Sequence, residues 1–129
     1  MNIACCGVSR ELFHAIERDW EGDALYFPDQ TDRRGDVSIA YALQDGMPIR
    51  LTVVGYQGAA GLTACDFLRS RTLASEVLWL CRRPEFAGEA KRLGVHFRCI
   101  GSDEENEWEP IRQEIIRLTR QPPQRIKEG

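Results

Sequence analysis

A chain of 129 residues, 43% apolar and 29% charged, has enough material for one domain with a sizeable core. Its net charge of -3 and the lack of any dense Lys/Arg run argue against nucleic acid as the direct partner. No apolar run reaches bilayer-spanning length, and the start lacks the charged segment and long apolar core of a secretory signal, so the expected location is the cytoplasm.

In chain order, Ile3-Ala4-Cys5-Cys6 reads as a buried strand that stops at Gly7-Val8. Ser9 is a good N-cap for the helix that follows, whose one face carries Leu12, Phe13, Ile16 and Trp20. Ala24 to Phe27 is a second strand, ended by Pro28-Asp29. Val37 to Gln44 reads as a weaker helix, closed by Gly46 and Pro48. "IRLTVVGYQ" is a third strand with a β-branched centre. "GAAGLTACDFLRSR" is a glycine-rich turn leading into a helix with Leu62, Cys65 and Leu68 on its apolar face. "EVLWLC" is the fourth strand. Phe86, Ala90 and Leu93 mark the next helix, stopped by Gly94. "VHFRCI" is the fifth strand, and the last helix carries Trp108, Ile111, Ile115 and Leu118. Residues 121–129 have the composition of a tail or linker after a domain spanning 1–120.

Five strands alternating with five helices through short connections imply an α/β fold, a three-layer parallel sheet covered on both faces. The flavodoxin-like order 2-1-3-4-5 is favoured, and it brings the loops after strands 1 and 3 together at a switch point where a site would form.

The pattern resembles the receiver domain of bacterial response regulators over about residues 1–120. The opening is similar to the "M-x-I-A-I-C-D-D" start of receivers attached to LytTR-type DNA-binding domains. "FAGEAKRLGVHFRCI" is similar to that family's fourth helix, turn and fifth strand. The resemblance implies five functional positions: two acids that hold magnesium, an aspartate acceptor, a Ser or Thr, and a Lys. Magnesium needs carboxylate oxygens, the acceptor must be a nucleophilic carboxylate, and a cation offsets the phosphoryl oxygens. On this chain those positions fall on Gly7 and Val8, Gly55, Cys81 and Gly101. All five are replaced, so the resemblance implies a pseudo-receiver. It would signal by protein contact or self-association as a homodimer, with no cofactor, no metal and no aspartyl phosphorylation. The pairing face would include Lys91, Arg92, His96, Arg98 and the last helix, and the tail would lead to an output domain in a longer parent.

Other chemistry is weighed against this. The five cysteines Cys5, Cys6, Cys65, Cys81 and Cys99 lack zinc-site spacing and read as free thiols in apolar surroundings, with one of Cys5 and Cys6 in the core and the other a small tip residue. A phosphatase-type loop would need Arg where Glu11 or Leu12 stands. The sugar-phosphotransferase tip Cys-x-x-Gly-x-Ser matches Gly7 and Ser9 but has Ala4 in the cysteine position. The alternative function is a small cysteine- or anion-dependent transferase using Cys6 and Cys81 at the switch point. His14 and His96 read as structural. Arg82 and Arg83 read as solvated charges. The acids of "SDEENEWEP" oppose the last helix's dipole, with a metal site from Asp103 or Glu104 and Asp29 as the sharper option.

Overall fold

The computed structural model describes residues 2–20, 22–27, 49–71, 76–101 and 107–120. Five strands, β1 (Asn2–Cys6), β2 (Asp23–Phe27), β3 (Ile49–Val54), β4 (Glu76–Cys81) and β5 (His96–Cys99), form one sheet in the order 2-1-3-4-5. Every pairing is parallel. The four described helices are α1 (Arg10–Asp19), α2 (Gly58–Arg71), α3 (Ala87–Leu93) and α4 (Trp108–Arg120), with a short 3-10 turn at Pro84–Phe86 before α3. The architecture is that of a flavodoxin-like α/β fold, as the sequence pattern predicts. The helix expected over Val37–Gln44, the acids Asp29, Asp103 and Glu104, and the 121–129 tail lie outside the described residues.

The helix boundaries follow from local chemistry. Ser9, in extended backbone, accepts a hydrogen bond on its hydroxyl from the Leu12 N–H, satisfying one of the free donors at the start of α1. Gly94 ends α3 in the left-handed conformation (φ +77°), with its N–H returned to Ala90 and Lys91 carbonyls.

Two apolar layers flank the sheet. Leu12, Phe13 and Ile16 of α1 and Ile111, Ile115 and Leu118 of α4 pack on Ile3, Cys5, Leu51, Val53, Leu78 and Leu80. On the other face, Ala64, Cys65 and Leu68 of α2 and Ala90 of α3 pack on Ala4, Cys6, Val54, Val77, Trp79 and Cys81. Central strands covered on both faces favour apolar residues at successive positions, as in Ile3–Cys6 of β1 and Val77–Cys81 of β4, while β3 also buries Thr52 beside Leu51 and Val53. Both cysteines of the tip are therefore core residues. The expectation that one would be a tip residue fails because β1 lies between two neighbours, and Cys5 and Cys6 point into opposite layers.

Candidate functional site: the switch point at the sheet's C-terminal edge

β1 and β3 are neighbours, so their following loops meet at the switch point. The Gly55 N–H donates to the Cys6 carbonyl at 2.8 Å, carrying the ladder one residue beyond β3. A Cβ on Gly55 would lie 2.6 Å from the Gly7 carbonyl oxygen and 2.9 Å from Val8 Cα. Gly7 has φ +76°, and a Cβ there would lie 2.7 to 2.9 Å from ring carbons of Tyr56. The two loops thus meet backbone to backbone, and an aromatic ring packs over their junction. From the other side, the Tyr26 hydroxyl donates to the Val8 carbonyl at 3.2 Å, and its ring stacks on Phe13 with centroids 4.6 Å apart.

The neighbouring gap between the ends of β3 and β4 is bridged by Gln57. Its Nε2 donates to the carbonyls of Gly55 (2.8 Å) and Leu80 (3.0 Å), and its Oε1 accepts from the Arg82 N–H at 2.7 Å. One side-chain amide thereby satisfies three backbone groups where the ladder between the two strands stops. Behind it, the wholly buried Trp79 donates its indole N–H to the Tyr56 carbonyl at 2.8 Å. That approach depends on Gly61, where a Cβ would lie 2.2 Å from the same carbonyl oxygen and 2.5 Å from the indole nitrogen.

The five positions singled out in the sequence converge on this edge. Gly7 and Gly55 are in direct contact, and Val8 is buried in the layer under α1 and α4. Cys81 is fully buried, its thiol donating to the Arg83 carbonyl at 3.7 Å and accepting from the Arg83 N–H at 3.5 Å. Gly101 is exposed. Its N–H donates to the Glu107 carboxylate, and its carbonyl accepts from Arg82 Nε at 3.3 Å. Where the receiver pattern places a lysine, this chain binds a carboxylate.

These residues do not fit a magnesium ion. Gly7 and Val8 supply no carboxylate oxygen, and the space before Gly55 is filled by the Gly7 main chain. Among the described residues, no group of three or more His, Cys, Asp or Glu side chains is placed to hold a metal.

The thiols of the alternative reading are enclosed: Cys6 is 2% and Cys81 0% exposed. Burial also pushes the Cys5 and Cys65 thiols well above their ordinary range. Cys99 departs from the expectation of apolar surroundings: it is exposed, at the end of edge strand β5. His14 is a surface residue 3.4 Å from Glu17. His96 has an acid partner that its sequence neighbourhood does not reveal, Glu76 Oε1 at 2.9 Å, at the opposite edge of the sheet from the switch point. Arg83 pairs with Glu85 at 3.0 Å, and Arg82 reaches the Gly101 carbonyl.

Tyr56, Gln57, Gly61 and Glu107 shape this edge although none carries a motif. Gly55 and Gly61 were the available signal for the close approaches. No protein-family model, curated protein or solved structure matches the chain.

Proposed function

We propose that this chain is a degenerate receiver-type signalling domain that acts through protein–protein contact and not through aspartyl phosphorylation. The observation that carries the reading is the contact between Gly55 and Gly7. At the acceptor position there is neither a nucleophile nor space for the first carbon of one. The residues in the acid positions provide no metal ligands, and the lysine position presents its N–H to Glu107. Negative charge placed there opposes an incoming phosphoryl group instead of offsetting it.

The experiment needs no partner kinase, because a working receiver takes its phosphoryl group from a small acyl phosphate. Incubation with acetyl phosphate and magnesium should leave the intact mass unchanged. A stoichiometric, magnesium-dependent adduct would overturn the proposal. The transferase reading is separated from it by thiol reactivity against pH: Cys6 and Cys81 should resist alkylation in the folded protein, and rapid modification of Cys6 near neutrality would favour covalent chemistry.

A further inference from the structure

We propose that Cys81 and Cys99 form a reversible disulfide between β4 and β5, making this end of the sheet sensitive to thiol oxidants. The two residues are register partners on adjacent parallel strands. In-register residues of parallel strands project to the same face, and strands lie about 4.8 Å apart, inside the Cα span of about 4.4–6.8 Å that disulfides use. The preceding pair on the same face shows that side chains do meet across this seam: Trp79 and Phe97 are also register partners, with ring centroids 5.5 Å apart. The Ile100 N–H donates to the Cys81 carbonyl at 2.9 Å, which holds the register up to the end of both strands.

The two thiols differ in the way a stepwise exchange requires. Cys99 is exposed and can meet a soluble disulfide, whereas Cys81 is buried and meets only its neighbours. Among the remaining thiols, Cys5 lies in the opposite layer, and Cys6 and Cys65 share the layer of Cys81 but neither is a register partner of Cys99. With oxidised glutathione as the oxidant, the Cys99 thiolate attacks one sulfur, the glutathione S–S bond breaks, and one glutathione thiolate leaves and takes up the proton given up by Cys99. The Cys81 thiol then gives up its proton, attacks Cys99 Sγ in the mixed disulfide, and expels the second glutathione, which takes up that proton. The protein loses two electrons and two protons, and one glutathione disulfide becomes two thiols. The bond would tie β5 to β4 beside Gly101 and Arg82, and it does not depend on the signalling role proposed above.

The test equilibrates the full chain in glutathione buffers of increasing oxidised fraction, quenches with acid, alkylates free thiols, and measures intact mass and digested peptides. The wild type should lose two hydrogens with a single bond mapped between Cys81 and Cys99, reversed by reduced glutathione. Cys99→Ser should abolish the bond. Cys81→Ala should instead accumulate one glutathionyl group on Cys99. Should Cys81→Ala fail to fold, the wild-type peptide map decides alone. The proposal is overturned by a wild type that stays fully reduced, that stops at glutathionylated Cys99, that joins Cys99 of two chains, or that pairs other thiols.

Discussion

A methyl group on Gly55 would sit 2.6 Å from the Gly7 carbonyl oxygen and 2.8 Å from its carbon, both parts of a main chain that is itself packed. Gly55→Asp should therefore destabilise the protein by about 3 kcal/mol or more, read as a lower urea midpoint, and should not restore phosphoryl acceptance. Gly88 is the contrasting case. It is exposed within α3 and nothing lies within 4 Å of a Cβ placed there, so Gly88→Ala should raise stability by roughly 0.5–1 kcal/mol in the same titration. The buried thiols set a pH dependence. Burial raises Cys5 and Cys65, so the folded protein keeps them protonated while the unfolded chain ionises them above about pH 8.5. The unfolded state then binds fewer protons, and the stability these thiols contribute falls as pH rises above that value. Urea midpoints at neutral and alkaline pH should show this slope, and Cys5→Ala/Cys65→Ala should flatten it.

Among the elements, α1 has the most complete local code. Its cap, its acidic first-turn residue Glu11 and the spacing of Leu12, Phe13 and Ile16 all agree. Ser9→Ala should cost about 1 kcal/mol by removing the acceptor for the Leu12 N–H, measured by thermal or urea unfolding. The same agreement of period and stop signal made β1, β4, α3 and α4 legible in the sequence, because each depends on neighbours within a turn or two. The strand read through Gln57 ends at Val54 instead, since Tyr56 and Gln57 turn aside to cap the neighbouring strand ends. That the positions implied by the receiver resemblance carry no acid, acceptor aspartate or lysine was legible, because substitution in a motif is visible position by position. The collapse of the site was not. It depends on which backbone lies beside Gly55, which strand register alone decides. The His96–Glu76 pair was hidden for the same reason, its members standing at the starts of different strands.

At the scale of the whole molecule, the proposed reading leaves association as the activity to test. The pairing surface we propose is built from α3, edge strand β5 and α4, where Lys91 and Arg92 are exposed and His96 and Arg98 are partly so. Sedimentation velocity over rising concentration should show a reversible dimer, and a single monomeric species at the highest concentrations would argue against it. The strand order has a further consequence, for the birth of the protein. β1 is the first of this sheet's five strands in chain order and occupies an interior position, yet its second neighbour arrives only with Val54, about fifty residues after Cys6. A nascent chain that has emerged only through β2 leaves one side of β1 bare, a row of unpaired N–H and C=O groups on an apolar strand. That interval is when the chain is most open to pairing with another copy of itself, so slowed translation ahead of β3 should increase aggregation, while slowing after β3 should matter less.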